Sequence, residues 1–462
     1  MAESIKKASV KSNKSSASQL IMKDNDSIKL QTDSQINKIS NNKMLEDALN
    51  RIFAFGSAEC DQFEVPGEFF ESRRPVEIPF FSQLKIRICS ITCGGQHTVV
   101  LSDKGEVYTW GNADTFALGR PGHDRTPQVV PLPYKVNLIA AGDCYTVVAN
   151  SPMGRIHFWG GFVSLTHGQV YQREHPTEVE HYYIRRNGIK YLSGGANHII
   201  VLSATRAFTW GDSESGALAT VFAPSIAKKK KIEPEAVGIR SVIKIFATHY
   251  GSFFLTKKKV YACGLNGFNQ LGMYTREEFK QIKSESSDVL LEKKPMAVPG
   301  LDPQSIQQIV GGESYTIILD TQGQLFGSGK NDDGQLGNVD ENHTLGNFSK
   351  ISHVPPAKRL FASSHFNYAL DKEKIQYYAW GFGASYVLGN GKEESLESCY
   401  AVSNEKLFKG EPSKLALGHS HIVFSLGHVF EEEELTAQLF VEKKRLPRSS
   451  YSRNKNLKKV NI

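Results

Sequence analysis

The stretch Gly94-Gly-Gln-His-Thr-Val-Val-Leu-Ser-Asp-Lys-Gly-Glu-Val-Tyr-Thr-Trp-Gly111 decides the fold. It contains a small-residue cluster, a β-branched run, a polar turn closed by Gly105, and an aromatic run ending in glycine. Two short apolar runs around a glycine-containing turn read as a β-hairpin, with glycine supplying the positive φ of the turn. The same order recurs along the chain. Aromatic runs end at Gly56, Gly111, Gly160, Gly211, Gly264, Gly329 and Gly381, at steps of 55, 49, 51, 53, 65 and 52 residues. Small-residue clusters open near Gly94, Ala141, Gly194, Thr248, Gly311, Ser363 and Gly418. A period of about 50 residues marks one supersecondary unit copied many times. The first aromatic run has no cluster before it, and the last cluster has no aromatic run after it. Six whole units therefore lie between two halves.

Strand pairs at this spacing, with no helical period between them, predict an all-β, seven-bladed β-propeller. The N-terminal strand around Ile52–Phe55 should complete the blade begun at His421–Ser425 and so close the ring. A solenoid would end in polar caps and would not need matched halves.

Charge and composition set the limits of this domain, expected over residues 46–427. The 462 residues carry a formal charge of +7. Residues 1–45 are rich in Ser, Asn, Lys and Gln; they cannot bury enough apolar surface to offset chain entropy and are expected to be disordered. Lys6, Lys7, Lys11 and Lys14 read as an import signal, a DNA-contacting arm or a solvated tail. Residues 428–462 form a second tail, acidic at Glu431 to Glu434 and then basic, with eight Lys and Arg and no acid over 443–462. Lys228, Lys229, Lys230 and Lys231 stand in an insertion between repeats, where a propeller carries its loops. Basic residues on arms and loops neutralise phosphates without reading sequence.

The six cysteines form no CxxC pair, and Cys89 and Cys93 lack partners at zinc spacing, so no metal site is expected and a reducing compartment is. Neither a secretory leader nor a run of about 18 apolar residues is present, which speaks against secretion and membrane spanning.

Equivalent positions in each repeat must fall on one face of the ring. The small-residue turns then form one polar circle: Gln96 and His97, Asp143, Asn197 and His198, His249 and Tyr250, Glu313 and Ser314, His365, His419 and His421. Mixed donors and acceptors with few charges suit a protein-binding face. A hydrolase would need convergent carboxylates or a nucleophile beside a base. The circle is expected to be too wide for all of its histidines to reach one metal ion, and no cofactor is expected. A histidine that opens a strand also serves as a hydrogen-bonder to the neighbouring turn, and Asp143 is suited to capping its own turn.

The Gly94–Gly111 stretch, Ala141-Gly-Asp-Cys-Tyr-Thr146 and Gly264-Leu-Asn-Gly-Phe-Asn-Gln-Leu-Gly272 together resemble the repeats of the regulator of chromosome condensation family, in repeat order over roughly residues 50–427. The resemblance implies a nuclear, chromatin-bound monomer that accelerates GDP release from the small GTPase Ran by binding, without covalent chemistry. It further implies that histones, DNA and import receptors meet the basic segments. His97, Asp143, Asn197, His198 and His421 would contact the GTPase. The insertion 161–175 aligns with the family's β-wedge, through Ser164, Leu165, Thr166, His167, Gly168, Gln169, Val170 and Tyr171; an ordinary long hairpin is the alternative. Two departures stand out: Asn197 replaces an acid, and Ser314 and Tyr315 replace paired histidines. They keep open a second reading, a non-catalytic propeller that scaffolds chromatin or other protein partners.

Overall fold

In the computed structural model the described residues are 51–427, apart from 68–69, 85, 123–124, 165–167, 220–232, 287, 338–345, 374–375, 404–406 and 409–411, together with 435–437 and 439. They form seven four-stranded antiparallel sheets. Blades 1 to 6 take their strands in chain order, beginning at Ile88–Cys93, Leu138–Ala141, Tyr191–Gly194, Lys244–Ala247, Ile306–Val310 and Ala357–Ala362. Blade 7 is composite: Pro412–Leu417 and His421–Leu426 supply its inner strands, and Arg51–Ser57 and Glu71–Ile78 its outer ones. The closure anticipated from the two half repeats is present, with Phe53 opposite Phe424 and their rings stacked at 5.3 Å.

The repeated glycine has a specific cause. All seven aromatic runs end in a glycine with φ between 85° and 132°. A Cβ at Gly111 would lie 2.5 Å from the Gln96 carbonyl oxygen, and one at Gly211 would lie 2.4 Å from that of Asn197. The backbone thus bends across the start of the second strand, where no side chain fits. The Leu-Gly turns perform a different task, by packing on the next blade. Trp159 Nε1 donates to the Ala117 carbonyl at 2.7 Å and lies against Gly119, and Trp380 Nε1 donates to the Gln335 carbonyl at 2.9 Å. Each blade face is buried against its neighbour in this manner, which gives a chain of apolar clusters around the ring.

Two elements depart from the sequence reading. The insertion after Met273 contains a helix, Arg276–Glu285, with a capping box formed by Thr275 and Glu278. The second is the C-terminal tail, expected to be free. Leu435 is buried in the cluster that holds Val99, Val136 and Trp159, Leu439 is buried too, and Asn137 Nδ2 donates to Thr436 Oγ1 at 2.6 Å. An apolar Leu pair seeks burial even within a charged segment. Lys6, Lys7, Lys11, Lys14 and Lys228 to Lys231 lie outside the described residues, as do Leu165, Thr166 and His167.

Candidate functional site

The turns between first and second strands gather around the propeller axis, and main-chain hydrogen bonds link them. The amide of Gly95 donates to the Asp143 carbonyl, Asp143 to Ala196, Ala196 to His249, His249 to Gly311, Glu313 to Ser364, and His419 back to Gly95, at 2.8 to 3.3 Å. Ser363 Oγ completes the circuit by donating to the Gly418 carbonyl at 2.6 Å. A closed ring of this kind fixes the side chains it carries. Beneath it, the innermost strands line a central cavity of 360 Å³.

Asp143, His249 and His419 line this cavity, and Glu313 and His365 extend the cluster to five blades. Asp143 Oδ1 and His419 Nε2 share a hydrogen bond of 3.1 Å, and Asp143 Oδ2 lies 3.6 Å from His249 Nε2. Glu313 Oε1 lies 3.9 Å from His249 Nε2 and 3.7 Å from His365 Nε2. Burial works to raise the pKa of Asp143, but the imidazoles of His249 and His419 outweigh it and hold the carboxyl below its usual value. Burial likewise opposes protonation of His419, and the Asp143 hydrogen bond and charge overcome it, so His419 titrates above an ordinary histidine. His249, more deeply buried, titrates lower. Within the circle Asp143, His249 and His419 converge: long imidazoles reach inward, and one ligand atom from each lies within 4.8 Å of the others.

His97, His198 and His421 are corrected in the other direction. They are 0 to 1 % exposed and turned into the seams between blades, so they present no surface to a partner. Each ring lies against the glycine three residues before it, Gly94, Gly195 or Gly418. His97 Nε2 bonds Thr146 Oγ1 of the next blade at 2.9 Å. Tyr145 and Tyr315 occupy the same position in blades 2 and 5; the Tyr145 hydroxyl donates to the carbonyls of Gly195 and His198 at 2.8 and 2.6 Å. The Tyr315 hydroxyl donates to the Ser363 carbonyl at 3.0 Å and is fully buried. The replacement of histidine by Tyr315 thus preserves an inter-blade rivet.

Asn197 is 9 % exposed, and its Oδ1 accepts the amide of Val163 at 2.8 Å. Val163 belongs to a long hairpin of Arg155–Ser164 and Gly168–Glu178, the insertion expected from the sequence. Its base is packed by rings: Tyr145 to Phe162 at 5.2 Å, and Phe162 stacked on Tyr171 at 6.1 Å. The Arg173 guanidinium lies over the Tyr171 ring at 4.5 Å. Ser164 is buried, and a groove of 430 Å³ runs from Asp143, Cys144 and His419 to Val163 and Ser164. On the opposite face, Arg240, Lys257, Lys258, Lys259 and Lys294 surround a hollow of 830 Å³. Its signal in the sequence is the run of three lysines in the turn before Val260.

Comparison with known proteins agrees with this geometry. The family model for the RCC1-like domain matches residues 51–424. The chain is 26% identical over 378 residues to the guanine nucleotide exchange factor SRM1 of Saccharomyces cerevisiae, covering 70% of this chain and 76% of that one. The crystal structure of Prp20p from Saccharomyces cerevisiae, described with its binding to Gsp1p and histones, superposes with a TM-score of 0.71 at 25% identity, covering 88% of this chain and 98% of that one. Yeast RCC1 (Prp20) in its complex with Kap60 gives the same TM-score and identity over 86% and 92% of the two chains. The chain belongs to the family of RCC1-like domain proteins.

Proposed function

We propose that the chain is a guanine-nucleotide exchange factor for a Ran-type small GTPase, acting in the nucleus at chromatin. The observation that carries this reading is the long hairpin beside the Asp143 groove, tied to the axial ring by Asn197. An exchange factor of this kind binds the nucleotide-free GTPase more tightly than the nucleotide-bound form, and by linkage loosens the nucleotide by the same factor. Asp143 and the neighbouring imidazoles supply a charged, rigid contact, and the hairpin with Gly168, Gln169, Val170 and Tyr171 supplies the element that presses on the phosphate-binding region. Asn197 acts from behind by holding the hairpin in place. The kinship with an exchange factor and with a protein studied for binding to Gsp1p and histones supports this assignment. The complex of Prp20 with Kap60 supports import-receptor contact through a basic segment such as Lys6 to Lys14. The Lys257–Lys259 hollow, on the face away from the ring, is suited to phosphate-bearing chromatin, as is Lys228–Lys231 by composition.

Release of a fluorescent GDP analogue from purified Ran tests the assignment. Catalytic amounts of the protein should accelerate release. Replacing residues 164–168 by an Asn-Gly turn, which joins the paired Val163 and Gln169, should abolish the acceleration. No acceleration by the wild type over intrinsic release overturns the assignment. A stable GTPase complex without turnover is the outcome that favours the scaffold reading, for which Asn197 in place of a charged side chain is the motivating observation.

A further inference from the structure

We propose that Asp143, His249 and His419 bind one divalent cation of the zinc class at the mouth of the central cavity. The site is built from blades 2, 4 and 7, which are not neighbours, so the ion would link the ring across its axis. Ligand atoms around a tetrahedral ion at about 2.0–2.1 Å lie about 3.4 Å apart. Asp143 turns Oδ1 to His419 Nε2 at 3.1 Å and Oδ2 to His249 Nε2 at 3.6 Å, and one ligand atom from each of the three residues lies within 4.8 Å of the others. His249 Nε2 stands 3.6 Å from Asp143 and 3.9 Å from Glu313, beyond hydrogen-bond length to either and spaced as two ligands of a common ion are. Ligand atoms up to 4.8 Å apart must close by as much as about 1.4 Å to reach that spacing. His419, 39 % exposed on its turn, has the freedom to do so, whereas His249, 10 % exposed, is held.

Two nitrogen donors and one carboxylate select a late first-row cation over magnesium or calcium, which prefer all-oxygen shells. The main chain of all three ligands is already fixed by the axial hydrogen-bond circuit, so little ordering opposes binding. Neither lysine nor arginine lines the cavity mouth among the described residues, and Glu313 adds negative charge beside the site. A position remains open toward solvent, on the side of the Asp143 groove. Cys93 lines the same cavity but is hydrogen-bonded to Thr98, and burial pushes its thiol up to about 12, so it competes poorly as a thiolate.

The site stands on its own geometry and does not depend on the GTPase reading. The test uses full-length protein stripped with chelator and no GTPase. Zn2+ is titrated against a chromogenic indicator, with folding of each variant checked by circular dichroism. One equivalent should bind, and affinity should fall about 100-fold in His249→Ala and in His419→Gln, since even an outer-shell neighbour of a ligand is worth 10- to 100-fold. The glutamine retains an amide able to bond Asp143, so the fold has a conservative control. Co2+ should produce d–d absorption without a thiolate charge-transfer band. Wild-type affinity retained in either variant, the absence of a saturable equivalent, or a thiolate band overturns the proposal.

Discussion

Asn197 shows how one side chain can serve a site without facing it. Its carboxamide oxygen accepts the Val163 amide, so it sets the angle at which the hairpin leaves blade 2. Asn197→Ala removes the acceptor and leaves that amide unpaired, at a cost of about 1–3 kcal/mol. Asn197→Asp retains an acceptor and adds charge. Amide hydrogen exchange at Val163 should accelerate in the alanine variant and remain slow in the aspartate variant, and GDP release should be slower in the former only. Equal exchange rates at Val163 in all three proteins would show that the bond does not hold the hairpin. The histidines in the seams make a second prediction at this scale. Burial lowers His97 and His198 from 6.5 to about 4, with the Asp143 charge acting against burial at His97. The unfolded chain then binds more protons than the folded one between these values. Stability is full above pH 6.5 and is lost as pH falls toward 4, by roughly 3 kcal/mol for each group. Urea midpoints measured across this window should fall steeply with acid, and His198→Gln should flatten the fall. A slope unchanged in the variant would sink the assignment to His198. Asp143 was legible in the sequence as a motif residue. Its partnership with His249 and His419 was not, because repeat spacing places residues on a circle without saying how far long imidazoles reach across it.

At the scale of the element, the hairpin of each blade was readable because its two middle strands are buried and apolar, as in His97–Ser102 and Val107–Gly111. The outer strands were not, since Gln128–Val129 and Glu235–Ala236 are only two residues long and carry no periodicity. The helix Arg276–Glu285 was missed for another reason. It buries only Phe279, so its apolar stripe is too thin to announce itself, although Thr275-Arg-Glu-Glu278 is a capping-box signature. The glycine bends are the most exacting part of the element. Gly211 has φ of 132°, and a Cβ there would sit 2.4 Å from the Asn197 carbonyl oxygen. Gly211→Ala should destabilise the protein by about 2–3 kcal/mol or more, combining strain with a shift of the Asn197 turn. Gly238→Ala serves as the control, since nothing lies within 4 Å of its Cβ position. Equal chemical-unfolding midpoints for the two variants would refute the account of the repeated glycine.

At the scale of the molecule, the ring must be closed by segments that are far apart in sequence, and the chain secures this joint twice. Arg51–Ser57 lies antiparallel to His421–Leu426, with Phe53 stacked on Phe424. Beyond that strand the chain continues to Leu435, which enters the cluster of Val99, Val136 and Trp159, while Thr436 accepts from Asn137. The strand closure within blade 7 is thereby followed by an anchor in the seam between blades 1 and 2. This divides the C-terminal segment into a structural part and a basic part, a division that composition alone concealed. Two truncations separate them. A chain ending at residue 427 loses the burial of Leu435 and Leu439, worth roughly 2 kcal/mol each, and exposes the apolar surface they cover. Its unfolding midpoint should drop, and ring opening should make the transition less cooperative. A chain ending at residue 442 retains both leucines and loses the eight basic residues of 443–462. It should unfold with the full-length protein, while its affinity for DNA falls and depends less steeply on salt, because fewer phosphates are neutralised. Equal stability of the two truncated chains would mean that the leucines do not secure the ring. An unchanged salt slope in the longer one would remove the basic segment from the chromatin-binding surface and leave the Lys257–Lys259 hollow to carry it.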